Sequence, residues 1–184
     1  SVETGGNSEW VVSGEEFTVK PGTKNIETRQ KFGDCQLHIE WKTSEKDVID
    51  GKTGQQCSNS GIYLMSKYEI QVLNSYNNKT NPLGQAAAFY GNAAPMVNAS
   101  LEPEEWQVYD IIFTAPKFNK NEDLLESGYF TLFHNGVLVL NHVEVTEPTA
   151  SHNGEYSLRE PELPLMLQDH KNEVSYRNIW IRKL

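Results

Sequence analysis

The sequence predicts an all-β domain in which antiparallel strands form a sandwich or a barrel. Apolar and polar residues alternate with period two in segment after segment. Turn-forming residues separate those segments, and no stretch carries the 3.6-residue apolar period of an amphipathic helix. The chain of 184 residues is of single-domain size, so residues 1–184 read as one domain, with no internal repeat or low-complexity tract.

The elements follow in order. CQLHIEW (35–41) alternates Leu37, Ile39 and Trp41 with Gln36, His38 and Glu40. A polar stretch over 43–58 reads as a loop. GIYLM (61–65) and YEIQVL (68–73) come next as strands, followed by the long loop NSYNNKTNPLGQ. EPEEWQ (102–107) reads as one short turn before the strand WQVYDIIFTA (106–115). YFTLFHNGVLVLNHVEV (129–145) is a hairpin, because Asn135-Gly136 accepts the positive φ of a type I′ turn between two alternating arms. PLMLQDH (164–170) and VSYRNIWIRKL (174–184) complete the set.

Charge narrows the partners. Sixteen basic against 25 acidic residues leave a net charge of −9, which repels phosphate backbones and anionic lipid. Nucleic acid is therefore excluded as a partner, whereas neutral ligands such as sugars suit this balance. No apolar run reaches the roughly 18 residues that membrane insertion requires, and the polar opening SVETGGNSEW is not a signal peptide. Cys35 and Cys57 are too few for a CxxC zinc site. If their strands pair, the two lie at opposite ends of the pair, beyond the ~7 Å reach of a disulfide, so two free thiols are expected. Trp10, Trp41, Trp106 and Trp180 are expected in the core.

Three strands share one feature. Residues i and i+2 of a strand point to the same side. His38 and Glu40 therefore oppose Leu37, Ile39 and Trp41; Glu69 and Gln71 oppose Tyr68, Ile70 and Val72; Gln168 and His170 oppose Leu165, Leu167 and Asp169. Alternation alone makes each pair a solvent face. The residue types point further, since His, Glu and Gln donate, accept and exchange protons where a plain solvent face carries Lys, Thr and Ser. The expectation is that all six converge on one ligand-facing hollow. His38, Glu40, Glu69 and His170 together would also suit a divalent metal with nitrogen and oxygen ligands, although no tight metal motif is present and no cofactor is specified.

Glu69-x-Gln71-x-x-Asn74 resembles the ExDxxE strand of laminarinase-type glycosidases, with amides at the second and third positions. A glycosidase of the usual kind needs two carboxyl groups flanking the bond, so the shape carries over and the double-displacement mechanism does not. A broader resemblance spans nearly the whole chain. FGDCQLHIEW, NSGIYLMSKYEIQVLNSY, EWQVYDIIFTAPKF, FHNGVLV, LPLMLQDH and VSYRNIWIRKL, in that order, resemble the 3-keto-disaccharide hydrolase domain family. The resemblance implies a concanavalin A-like jelly roll, a glycoside-cleaving activity on 3-keto-glycosides or disaccharides, and a periplasmic or cell-surface protein of Bacteroidetes type. Cys35 stands where that family usually has Phe, Asn74 where Asp is common and Lys171 where Gly often follows LQDH.

A 3-keto group acidifies the hydrogen on C2, so one base and an oxyanion stabiliser suffice to expel the group at C1. In that chemistry Glu69 is the candidate base, and His170 is the rival base or the proton donor to the leaving group. Gln71 and Gln168 would bond sugar hydroxyls or the keto oxygen. Glu40 would hold His170 or stand as a solvated carboxylate. Asn59 caps the turn before its strand or points into the cleft. Tyr90 and Asn98 are rim residues of a long loop, and Arg177 pairs with Glu40 or Glu69. A carbohydrate-binding module using the same face without catalysis is the alternative.

Overall fold

The computed structural model describes residues 6–149 and 156–184. Its strands run in chain order as β1 (Val11–Ser13), β2 (Glu16–Thr18), β3 (Ile26–Phe32), β4 (Cys35–Thr43), β5 (Ser60–Leu64) and β6 (Tyr68–Val72). After a long connection come β7 (Gln107–Thr114), β8 (Lys117–Phe118), β9 (Leu124–Glu126), β10 (Gly128–His134), β11 (Val137–Val145), β12 (Leu163–Leu167) and β13 (Val174–Lys183). One short helix, α1 (Lys46–Ile49), sits inside the stretch expected as a polar loop.

All strand pairs are antiparallel. Seven strands form one sheet in the order β1-β2-β13-β4-β7-β10-β11, four form a second in the order β3-β12-β5-β6, and β8 and β9 pair alone. The two large sheets face each other across one core. Leu37, Ile39, Tyr109, Ile111, Phe113 and Phe130 from the first meet Ile62, Leu64, Tyr68, Ile70, Leu165 and Leu167 from the second. Polar cross-links reinforce that contact: Tyr109 Oη donates to the Gln71 carbonyl (2.9 Å), and Tyr176 Oη meets Ser60 Oγ (2.7 Å).

The alternating segments form the expected strands, and Asn135 (φ 52°) and Gly136 (φ 78°) make the expected tight turn. The β5–β6 hairpin also turns through two positive-φ residues, Met65 and Ser66, both at 52°. No Gly or Asn announces that turn. The short and largely exposed β1, β2, β8 and β9 and the partly exposed β3 (IETRQKF) carry too little alternation to be read beforehand. The edge of β6 is covered by the turn segment after the long loop, through Gln71 N to Ala88 O (3.0 Å) and Tyr90 N to Glu69 O (3.1 Å). Its backbone groups are thus satisfied rather than open to another chain.

Cys35 and Cys57 are free and buried, as expected. Their strands do not pair, however: β4 belongs to the large sheet and β5 to the small one. Burial pushes the Cys35 thiol up to about 12, with Asp34 adding to the effect. Trp10 and Trp41 are in the core, but Trp106 is half-buried and Trp180 is 44% exposed. These last two pack on polar side chains outside the core, Trp106 under Lys42 and Arg177 and Trp180 against His38.

Candidate functional site

The outer face of the four-stranded sheet is built in cross-strand rows. Tyr63 pairs with Glu69 on one side and with Met166 on the other, and Met166 pairs with Glu27. In the next row on this face Gly61 pairs with Gln71, while Gln168 N donates to Gly61 O (3.0 Å). Two glutamines therefore flank a residue without a side chain. The Glu69 carboxylate and the Tyr63 ring lie over that space: a Cβ on Gly61 would stand 2.7 Å from Glu69 Oε1 and 2.7 Å from Tyr63 Cε2. Glu69, Gln71 and Tyr63 are all buried, Gln71 with 1% exposure.

Amides fix the Gln71 end of this row. Gln55 Nε2 donates to Gly84 O (2.6 Å) and to Thr80 Oγ1 (3.0 Å). Gln55 Oε1 therefore faces inward and accepts from Asn59 Nδ2 (3.1 Å) and Gln71 Nε2 (3.0 Å). Asn59 Nδ2 also donates to Gln55 O (2.9 Å), so the Asn both ties down the preceding turn and joins the network next to Gln71. At the other end Gln168 Nε2 donates to Tyr63 Oη (3.0 Å). Behind the face, Ser60 Oγ donates to Gln168 O (2.6 Å) and meets Tyr176 Oη. Burial raises the Tyr176 phenol, and the Glu69 charge adds to that.

His38, Glu40 and Arg177 are not part of this group. The apolar residues of β4 and of β6 point into the same core. The polar residues of the two strands must then point in opposite directions, so His38 and Glu40 lie on the outer face of the large sheet. This corrects the expectation that three strands supply one hollow. A β-bulge between Arg177 and Trp180 lets Arg177 Nε and Asn178 Nδ2 both donate to Glu40 (2.5 and 2.8 Å). Burial would raise the Glu40 carboxyl, but the bonds from Asn178 and Arg177 outweigh it and hold the group below its ordinary value. Arg177 also covers the Trp106 ring at 3.9 Å, and His38 stacks on Trp180 and bonds Asp110 (2.7 Å). Glu40 thus anchors Arg177 and Asn178 and does not hold His170.

A family profile described as a 3-keto-alpha-glucoside-1,2-lyase-like domain matches residues 2–182. The chain belongs to this family. No curated protein matches the sequence. Among solved structures, a "putative glycosyl hydrolase" from Parabacteroides distasonis is 38% identical with a TM-score of 0.91, covering 100% of this chain and 78% of that one. Two further proteins of the same description and organism, 18% and 16% identical with TM-scores of 0.63 and 0.62, share the fold; they cover 95% of this chain and 90% and 83% of their own. A glycoside-related function follows for this member of the 3-keto-alpha-glucoside-1,2-lyase-like family, with a carbohydrate as its ligand class.

The remaining candidates of this lyase-like domain are distributed as follows. Tyr90 is half-buried at the rim, bonded to Glu69 O through its N–H, with its ring beside Gly84. Asn98 is exposed and shapes its own loop, donating to Ser75 O (2.8 Å) and accepting from Ser100 N (3.1 Å). His170 is exposed in the loop after β12. Asp169 ties that loop down by accepting from Lys24 N (2.9 Å) and Lys171 N (2.8 Å). Asn74 lies beyond the end of β6, donates to Cys57 Sγ (3.5 Å) and accepts from Tyr76 N (3.2 Å). Only Glu69 and Gln71 of the ExQxxN pattern therefore share the site face.

Among the described residues no group of three or more His, Cys, Asp or Glu side chains is placed to hold a metal ion. His38 and Glu40 are on the wrong face to join Glu69 and His170. Gln55, Gly61 and Tyr63 were missed by sequence reasoning. Gln55 lies in a 3-10 turn without periodicity, whereas the pairing of Gly61 and Tyr63 with Gln71 and Glu69 could have been read from the short hairpin between GIYLM and YEIQVL.

Proposed function

We propose that this domain cleaves 3-keto-glycosides by proton abstraction at C2 and elimination at C1, on a jelly-roll scaffold of concanavalin A type. The observation that carries the reading is that no strand of the four-stranded sheet sets a second carboxylate beside Glu69. The strands of the four-stranded sheet hold two carboxylates, Glu27 and Glu69. They are three strand spacings apart, about 14 Å at the backbone, while paired glycosidase carboxyls stand roughly 5–9.5 Å apart. Glu27 is moreover engaged by Ser66 Oγ (2.9 Å) and Tyr156 Oη (3.0 Å). One base is what the elimination requires.

In this mechanism Glu69 takes the C2 proton, and the C–H electron pair passes into the enolate of the C3 ketone. Re-formation of the carbonyl makes the C1–C2 double bond and expels the C1 oxygen as an alcohol, for which exposed His170 is the proposed proton donor. Addition of water across C1–C2 puts hydroxyl on C1 and hydrogen on C2, which completes a net hydrolysis. Gln71 and Gln168 hold the sugar, with Asn59 and Tyr90 beside them.

The test is turnover of methyl 3-keto-α-glucopyranoside in D₂O. Wild-type protein should release methanol with deuterium incorporated at C2, and Glu69→Gln should lose at least 100-fold in rate while still binding. Binding of sugars by the wild type without turnover of any 3-keto-glycoside would replace this reading with the non-catalytic carbohydrate-binding module.

A further inference from the structure

The two glutamines of the site row differ from ordinary sugar-binding amides in which of their atoms are already engaged. Both N–H groups of Gln71 are used: Nε2 donates to Gln55 Oε1 (3.0 Å) and to Gly84 O (3.2 Å). A backbone carbonyl only accepts, so Gly84 O dictates which way round the amide stands. The same carbonyl orients Gln55, whose Nε2 lies 2.6 Å from it. Gln71 Oε1 is left on the other side, buried and without a partner among the described residues. Gln168, with Nε2 on Tyr63, likewise leaves its Oε1 buried and without a partner among the described residues. A buried acceptor with no donor is a group awaiting one. Gly61, between the two, carries no side chain, and the Glu69 carboxylate and the Tyr63 ring occupy the space above it, so the candidate base lies between the two acceptors.

We infer that Gln71 Oε1 and Gln168 Oε1 form a two-acceptor clamp for hydroxyl groups of a neutral sugar, and that Gln55 is the positioning residue that aims the first of them. The inference rests on the carbohydrate reading above and sharpens it. An acceptor oxygen receives a hydroxyl hydrogen and repels a carbonyl, enolate, carboxylate or phosphate oxygen. The clamp therefore selects neutral polyols over uronates and sugar phosphates. It also assigns the keto oxygen to another part of the site, so that neither acceptor serves as the oxyanion stabiliser.

Two measurements test this. The first needs no ligand. In wild-type protein both side-chain amide protons of Gln71 should exchange with solvent at least tenfold more slowly than those of exposed Gln30, and in Gln55→Ala the proton held by Gln55 should lose that protection while the one on Gly84 O keeps it. Equal protection in wild type and variant overturns the positioning role, whatever the protein turns over. Should Gln55→Ala not fold, Gln55→Met keeps the volume without the polar head and carries the same comparison. The second uses methyl 3-keto-α-glucopyranoside and its 2-, 4- and 6-deoxy analogues. Wild type should lose about tenfold in kcat/KM on removal of each of two hydroxyls. In the Gln55 variant KM should rise about tenfold with kcat kept within threefold, and one of those two deletions should cost nothing more. Deletions that cost the variant as much as the wild type overturn the clamp. Failure of the wild type to turn over the parent compound tells instead against the enzyme reading, and the amide-exchange result then decides the positioning role alone.

Discussion

Tyr109, on the large sheet, donates its phenol hydrogen across the core to the backbone carbonyl of Gln71 on the small one, at 2.9 Å. The strand that carries Glu69 and Gln71 is thereby pinned from behind by a residue of the opposite layer. Burial raises the Tyr109 phenol well above its ordinary value, so it remains a donor throughout the working pH range. Tyr109→Phe removes this donor while the carbonyl keeps its bond from Ala87 N (3.0 Å), and should cost about 0.5–1.5 kcal/mol of stability. Urea unfolding measures this; an unchanged midpoint and slope would refute the pinning.

Gly61→Ala should damage the site far more than the fold. Its Cβ would arrive 2.7 Å from both Glu69 Oε1 and Tyr63 Cε2, and ordinary contact begins at 3.4 Å, so both side chains must move by roughly 0.7–1 Å. Misplacement on this scale costs activity on the order of 100-fold, while the backbone at Gly61 has an ordinary strand conformation. Turnover and the thermal midpoint, measured together, should separate the two effects. A fully active variant would remove Glu69 from the chemistry.

Glu40→Gln tests the separation of the two faces. The folded pKa of Glu40 is depressed, so its stabilising contribution is present above the ordinary carboxyl range and is lost as pH falls through the folded value. The variant should flatten the decline in stability below about pH 4.5, the group's ordinary value. Turnover at neutral pH should stay within twofold of wild type, since Glu40 points away from Glu69. A large loss of turnover would restore Glu40 to the site.

His134 supplies a second acid limb at higher pH. Burial lowers its pKa to about 3 from an ordinary 6.5, so the folded state keeps it neutral while the unfolded chain protonates. Stability should then fall as pH drops from 6.5 towards 3, by on the order of several kcal/mol across that window. His134→Phe should abolish that slope in pH-dependent urea unfolding. A slope identical to that of wild type would show that another group carries it.

Much of the fold was legible because alternation is a local property. CQLHIEW, YEIQVL and WQVYDIIFTA each show which side chains share a face, and Asn135-Gly136 shows where a hairpin closes. The pairing of Glu69 with Gln71 follows from the same rule and holds in the structure. Gln55 was not legible, because a 3-10 turn has no period to read and its role depends on a carbonyl 29 residues further on. Where Asn74 stands relative to the ExQxxN pattern could not be read either, because β6 ends before it at Val72.

The sequence by itself determined the alternating strands of the two large sheets, the inward and outward side of each, and the family that their order and spacing resemble, but not the short β1, β2, β8 and β9 or β3. Only the tertiary structure decided which outward sides coincide. Period two states that a residue faces away from the core without stating which layer covers that core. β4 joined the large sheet while β5, β6 and β12 formed the small one, which sent Glu40 to one surface of the molecule and gathered Glu69, Gln71 and Gln168 at the other.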